Sequence, residues 1–473
     1  MVTGPRSKTF GFEFRSLLLL AAPVVLTQVA QHGMSFVDTL MVGRLGPGPL
    51  AGMALGATGY GLIYLISSAF MLAVGPQTAQ AVGAGDSQGA GRALRQGLWL
   101  VAIASVPGVL ILSQAERLFL LMGQDPGIAA SAGAYLRAVA FGLPFGLLFA
   151  ALRAFIEAHS VTRPVTLIAF GAVAFHVFGN DVLIHGKVGF PALGLVGAGY
   201  STALAYSFMA MAALGIVLVR FNGRAILAKL LVPDLQVLRE LARIGWPISL
   251  MHGFEVGLFS VTAFLMGRFG EAALAAHQVA MQSASLTFMV PLGIAIAASI
   301  RVGQATGRGD ALAARAAGRA GIVLAAGFMC ISATVFLSIP RTVVGIFADL
   351  GDPRNAAMIA HAVRFLGFAA VFQLVDGIQV AAGGALRGLK DTRVPMLLTL
   401  VAFWLVGLPV GLLAAFRLGI GANGLWYGLI AGLAVAAALL GIRFVRRMER
   451  AVRQAAAAQP GVEGAAPDAP GTG

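Results

Sequence analysis

Long apolar stretches recur from near Leu17 to about Gly441, and each has the roughly 20 residues that a membrane-crossing helix needs. In lipid no water is present to satisfy backbone N–H and C=O groups, so a chain of this kind is confined to α-helices that bond within themselves. Composition enters as support. Of 473 residues, 58% are hydrophobic and 11% charged, with mean hydropathy +0.87. A soluble chain carries about 25% charged residues and could not bury so much apolar surface. The patterning places spans at 16–40, 51–75, 94–115, 131–152, 164–185, 194–219, 242–266, 275–300, 319–340, 357–383, 395–416 and 422–444. The first run follows Arg6, Lys8 and Arg15 as a signal peptide would. It continues through Phe36 and Leu40 without a small-residue cleavage site, so it is expected to be a retained span.

The net charge of +14 suggests nucleic acid only if the basic residues form a groove. They sit instead in short loops between spans. Of the 33 Lys and Arg, 24 fall on one side, counting both ends of the chain and every second loop. Short loops rich in Lys and Arg stay cytoplasmic, so both termini are expected inside and nucleic acid is not an expected partner. The Ala-, Gly- and Arg-rich usage, with only four Lys, suggests a GC-rich bacterium, and so a multi-pass protein of a bacterial inner membrane. The single cysteine, Cys330, excludes an internal disulfide or a cysteine cluster.

The chain repeats itself. Shifted by 224 residues, Pro23 meets Pro247, Gly43–Gly46 meets Gly267–Gly270, Gln80-Ala81 meets Gln304-Ala305 and Gly85-Asp86 meets Gly309-Asp310. After a small gap, Leu152-Arg153 matches Leu386-Arg387 and Thr162-Arg163 matches Thr392-Arg393. Six spans per copy is an even number, so both copies insert with the same orientation. The expected fold class is all-α integral membrane, with twelve transmembrane helices in two six-helix lobes related by a parallel internal repeat. Residues 1–15 are expected to be a cytoplasmic N-terminus, 16–219 the N-lobe, 220–241 a cytoplasmic linker, 242–444 the C-lobe and 445–473 a disordered cytoplasmic tail. Transporters with parallel repeats place the substrate site between the halves and rock one against the other.

Three carboxylates within spans carry the main signal: Asp38 in the first, Glu255 in the seventh and Asp376 in the tenth. A charge at the bilayer centre costs at least about 2.5 kcal/mol on insertion scales, and such residues mark ion or substrate pathways. No Lys or Arg falls in the stretches SFVDTLMVG, MHGFEVGLF and FQLVDGIQV around them to neutralise them. Two carboxylates in one lobe, Glu255 and Asp376, suit Na⁺ or a shared proton, and their negative charge suits a cationic substrate. Weaker polar signals are Gln28, Gln31, His32 and His252 near the acids, His277, Gln278 and Gln282 in the eighth span, and His176, Asn180 and Asp181 in the fifth. The histidines lack zinc-ligand spacing, so no metal is expected beyond Na⁺ at Glu255 and Asp376. Pro23 and Pro247 occupy equivalent repeat positions and are hinge candidates. No Walker A or HExxH sequence occurs, so neither ATP hydrolysis nor an enzyme is expected. No cofactor is expected beyond Na⁺ or H⁺ as coupling ion.

Several stretches together resemble one family. They are FVDTLMVGRLGPGPLAGMALG, AQAVGAGD, PALGLVGAGYSTALA, LAAHQVAMQSASLTFMVPLGI, IRVGQATGRGD and VDGIQVAAGGALRGLKDTRVP. In combination, and over nearly the whole chain up to its tail, they are similar to the multidrug and toxic compound extrusion transporters of the NorM-type branch. The resemblance implies a V-shaped, outward-facing cavity between two lobes. It also implies antiport of Na⁺ or H⁺ against cationic or amphiphilic aromatic compounds by a monomer in membrane lipid. Glu255 and Asp376 match the branch's C-lobe cation site, and Asp38 its N-lobe acid for proton and substrate. Gln31, His176, Asn180, His277, Gln278 and Gln282 become secondary cavity candidates. The chain departs from the family at His176 and Gln282, where asparagine is usual. Alternatives are a flippase for lipid-linked precursors, which would need basic cavity residues, and a channel or membrane enzyme.

Overall fold

A computed structural model describes residues 10–457. Eleven of its helices are long and apolar enough to cross a membrane, and one bent pair brings the total to twelve. Among the described residues there is no strand. The N-lobe comprises α1 (Phe10–Gly43), α2 (Pro47–Met71), α3 (Val74–Gly83), α4 (Ser87–Ser113), α5 (Ala115–Leu121), α6 (Pro126–Ala140), α7 (Leu143–Ala158), α8 (Arg163–His185) and α9 (Leu195–Arg220). The short α10 (Gly223–Leu227) lies in the connection. The C-lobe follows with α11 (Leu235–Met266), α12 (Glu271–Gly307), α13 (Ala311–Ser338), α14 (Pro340–Gly345), α15 (Ala356–Gly388), α16 (Arg393–Leu400), α17 (Leu408–Leu412) and α18 (Ala422–Ala457).

The repeat has a physical cause at its loops. Gly85 and Gly309 take φ of +74° and +73°, the left-handed conformation that ends a helix. The next residues, Asp86 and Asp310, accept from the backbone N–H of Gly89 (2.7 Å) and Ala313 (2.9 Å) and so start the following helices. The bent pair is α6 and α7, meeting at 47°. Pro144 near the start of α7 cannot continue the helical ladder, and Gly142 lets the bend lie against the Ala203 backbone of α9. Between α16 and α18 the eleventh span widens into π-type turns over Val401–Gly407 and Leu413–Arg417, flanking Pro409. Its Gly407 and Gly411 pack directly on Gly428 and Gly432 of α18, the small-residue contact common between membrane helices.

Each lobe's first helix reaches into the other lobe. Leu17, Leu20 and Ala21 of α1 pack with Ile294, Ala297, Ala298, Ala325 and Ala381 of the C-lobe. Reciprocally, Leu241, Ile244 and Ile248 of α11 belong to the N-lobe core, and Ser249 Oγ donates to the Ile66 carbonyl of α2 (2.9 Å). Pro23 and Pro247 sit at these two crossings. The Pro23 carbonyl accepts from Thr27 (3.0 Å) and from Thr166 of α8 (2.7 Å).

The final helix corrects one expectation. Residues 445–457 continue α18 rather than beginning a disordered tail. Phe444 and Met448 are buried, and Arg443 and Arg447 bind Asp391, so packing and ion pairs extend the helix past the apolar run. The remainder of that tail, and residues 1–9 of the expected N-terminus, lie outside the described residues. Residues 10–15 are already helical.

Candidate functional site

Among the described residues, the side-chain bonds between lobes gather toward the end where α1 begins and α18 finishes. Gln80 donates to the Gly388 carbonyl (2.8 Å), and its repeat counterpart Gln304 donates to the Ala158 carbonyl (2.9 Å) and to Ser160 (3.0 Å). Arg301 clamps the buried Glu13 with bonds of 2.8–3.1 Å. Gln77 of α3 donates to Glu240 of α11 (3.1 Å). Gly83 of α3 lies against the Gln304 carbonyl and Gly307 of α12 against the Gln80 carbonyl, so two helices related by the repeat touch backbone to backbone. At the far end no side-chain hydrogen bond joins the lobes among the described residues, so that end is unpinned.

In the N-lobe, Asp38 of α1 is buried and held from α8. His176 and Asn180 stand four residues apart, hence on one face. His176 Nε2 donates to Asp38 Oδ1 (2.8 Å) and Asn180 Nδ2 donates to the same oxygen (2.7 Å). Thr202 Oγ1 of α9 lies 3.3 Å from Oδ2. Ser201, on the same helix, donates to the His176 carbonyl (3.1 Å). Gly179 makes that approach possible, since a methyl there would meet Ser201 Oγ at 2.7 Å. Asn180 Oδ1 is buried with no partner. Beside this cluster Tyr60, Tyr64 and Tyr206 stack at 5.7–5.8 Å, and Tyr135 stands near Asp38.

Asp181 is not part of the cluster. It is half-exposed in the last turn of α8 and pairs with Lys187 (2.9 Å). Gln31 is also already engaged: its Oε1 accepts from Arg153 Nη1 of α7 (2.7 Å), and Arg153 in turn pairs with the buried Glu157 (2.8 Å). Thr202, Ser201 and the tyrosines went unnoticed in the sequence because hydroxyls are common on apolar helices. The one signal was the spacing of Tyr60 and Tyr64, a single helical turn.

In the C-lobe, Glu255 of α11 and Asp376 of α15 stand within electrostatic reach of one another. Asp376 is 4% exposed, and its Oδ1 has no partner. His252 Nδ1 lies 3.9 Å from Glu255 Oε2. One turn before Asp376, Gln373 accepts from Thr287 (2.6 Å) and Ser332 (2.7 Å), and one turn after it Gln379 Oε1 is buried and unpartnered. Open oxygen acceptors with two carboxylates are what a hard monovalent cation or a proton takes. Among the described residues no group of three His, Cys, Asp or Glu could hold a metal ion by itself.

The expectation that no basic residue neutralises these acids is corrected by Arg387. It lies just beyond the tenth apolar run, is 9% exposed, and acts electrostatically on both Glu255 and His252. His277 is also corrected: it is buried in the C-lobe core, edge-on to Trp426 at 5.4 Å, and does not line the space between lobes. Its neighbours Gln278 and Gln282 are exposed on one face of α12.

A family model described as MatE matches residues 23–182 and 247–413, one match in each lobe. The chain belongs to the MatE family. It is a transporter of that family rather than an enzyme, and a multi-pass membrane protein. Among MatE relatives, a probable multidrug resistance protein NorM of Deinococcus radiodurans is 44% identical, covering 92% of this chain and 96% of its own. A protein of that name from Mesorhizobium japonicum is 41% identical, covering 92% and 94%. The multidrug resistance protein NorM of Burkholderia vietnamiensis is 39% identical, covering 90% and 92%. The eukaryotic MATE transporter AtDTX14 superposes with TM-score 0.81 at 20% identity, covering 94% of this chain and 99% of its own. A MATE crystallised in a bent conformation gives TM-score 0.85 at 18% identity, covering 94% and 97%. These two likenesses establish the MatE fold.

Proposed function

We propose that this chain is a secondary active multidrug exporter of a bacterial inner membrane. It antiports Na⁺ or H⁺ against cationic or amphiphilic aromatic organic compounds by rocker-switch alternating access. The observation that carries the reading is the pair in one lobe of a half-buried Glu255 and a buried Asp376, the latter with an unpartnered carboxylate oxygen. Two such acids are stabilised by a cation, and a cation that competes with a cationic substrate links the two movements. The Lys- and Arg-rich end, which carries both termini, is cytoplasmic. The lobes are bonded at that end, so the described state is outward-facing. Asp38, with Asn180 and His176 around it, is the N-lobe group that takes a proton or meets substrate. The names of the NorM relatives support drug export, and the acidic interior favours cations over the pyrophosphate of a lipid-linked precursor.

The test is efflux of ethidium from cells or vesicles containing the protein, with Na⁺ and pH gradients imposed separately. One gradient should drive export. Asp376→Asn and Glu255→Gln should each abolish it while protein still reaches the membrane. Full efflux in both variants would remove the C-lobe cation site from the mechanism.

A further inference from the structure

The internal repeat sets two clusters side by side. The 224-residue shift that pairs Pro23 with Pro247 also pairs Gln31 with Glu255. The later alignment pairs Arg153 with Arg387. In the N-lobe these positions are in contact: Arg153 donates to Gln31 at 2.7 Å. The repeat therefore puts an arginine and a glutamate at the C-lobe positions where the N-lobe has an arginine and a glutamine. Arg387 is buried and acts electrostatically on Glu255.

The two arginines differ in what else they have. Arg153 has Glu157 one turn on in its own helix, at 2.8 Å. The residue four positions beyond Arg387 is Asp391, but α15 ends at Gly388, and Asp391 is taken by Arg443 (2.8 Å) and Arg447 (3.2 Å) from α18. Among the described residues Arg387 has no carboxylate oxygen within 4.0 Å. It is a buried cation whose nearest following acid is taken by other arginines, and such a charge needs a counter-ion.

We propose that Arg387 is the internal counter-cation of the C-lobe site, a positioning residue that limits the cluster to one monovalent cation. The proposal rests on the reading of Glu255 and Asp376 as the coupling site. With His252 as neutral imidazole, Glu255, Asp376 and Arg387 together carry one negative charge. One Na⁺ or one proton makes the cluster neutral. When that cation leaves, the guanidinium remains to compensate Glu255, so the emptied site never presents two bare carboxylates to the membrane interior. The N-lobe counterpart, with Gln31, Arg153 and Glu157, is neutral with nothing bound, and so has no such vacancy for a cation. The acid at position 255 and the acid at 391 taken by other arginines are thus the changes that turned one copy of a shared scaffold into a cation site.

The test counts cationic charge taken up by the purified full-length protein, as ²²Na⁺ bound together with protons bound or released. The readout is the change from wild type. Glu255→Gln should lose one charge, because Asp376 and Arg387 then cancel. Arg387→Gln should gain one, taken as a second monovalent cation or as Ca²⁺ in place of Na⁺, while Arg387→Lys should match wild type. The double variant E255Q/R387Q leaves Asp376 alone and should regain the charge that Glu255→Gln lost. It also removes both members of the pair, so it keeps the test open if Arg387→Gln does not fold. Wild-type uptake in Arg387→Gln, or no recovery in the double variant, overturns the role of Arg387 alone. Wild-type uptake in Glu255→Gln overturns the coupling site itself.

Discussion

Adding a methyl group at Gly83 or Gly307 should open the sealed end of the protein, and by similar amounts. Each glycine faces a backbone carbonyl of the other lobe: Gln304 for Gly83 and Gln80 for Gly307. A Cβ at either place would overlap that carbonyl, and a backbone atom cannot swing aside as a side chain can. Overpacking of this kind costs about 1–3 kcal/mol. Alanine gains at most about 1 kcal/mol over glycine in a helix interior, and less here, since both glycines end their helices. The clash wins, leaving about 1–2 kcal/mol against the closed contact, or roughly a 5- to 30-fold shift in population. The reporter is a cysteine at Ala79, which is fully buried where Gly303 of the other lobe approaches it. Cys330 is exposed and is first replaced by alanine. The rate at which a hydrophilic maleimide labels that cysteine follows the open population when opening is fast. Both Gly83→Ala and Gly307→Ala should raise the rate, within a few-fold of each other. An unchanged rate in both would refute the sealed contact, and a rise in only one would refute the two-fold equivalence of α3 and α12.

Removing Glu157 should destabilise the N-lobe by about 3–5 kcal/mol, because Arg153 stays buried without its acid. The melting temperature of Glu157→Gln should fall clearly, and replacing both residues with apolar ones of similar size should restore most of it. Asp38→Asn should impair export while leaving the fold intact, since the amide keeps the shape of the carboxyl between His176 and Asn180. Unchanged export would remove Asp38 from transport. Gln278→Ala and Gln282→Ala touch exposed side chains that form no side-chain hydrogen bond among the described residues. They should alter the range of dyes exported and leave the melting temperature as it was.

The spans were legible because lipid imposes one rule on every segment that crosses it. Hydropathy alone marked even the bent fourth span, since Pro144 changes its direction and not its apolarity. The repeat was legible for a related reason. Gly85-Asp86 and Gly309-Asp310 are turn chemistry, which has few solutions and so stays recognisable in both copies. What hydropathy could not show was which polar groups meet. Arg153 and Arg387 stand at the ends of apolar runs and read as loop charge, yet both side chains fold back into the bundle. His277 and Gln278 are adjacent in sequence and point opposite ways, one into the core against Trp426 and the other outward. Asp181 read as one of the polar groups of the fifth span, but it stands in the last turn of α8 within reach of Lys187.

The repeat also explains why the two lobes are not interchangeable. Applied to the acids, the shift of 224 pairs Glu255 with Gln31 and Asp38 with Thr262. Neither acid is a copy of the other. On their parallel first helices they lie seven positions apart, which at 1.5 Å per residue is about 10 Å along the axis. Asp38 is the one nearer the unpinned end. It is held by an imidazole and an amide from α8, while Glu255 stands deeper with Asp376 and the otherwise unpaired Arg387. A symmetric protein would offer an entering cation two equal sites at one depth. This one offers a shallow acid already bonded by neighbours and a deep pair with an open oxygen. The scaffold is duplicated and the chemistry is not, and under the proposed function that difference is what would let one lobe hold the coupling ion while the other meets a proton or substrate.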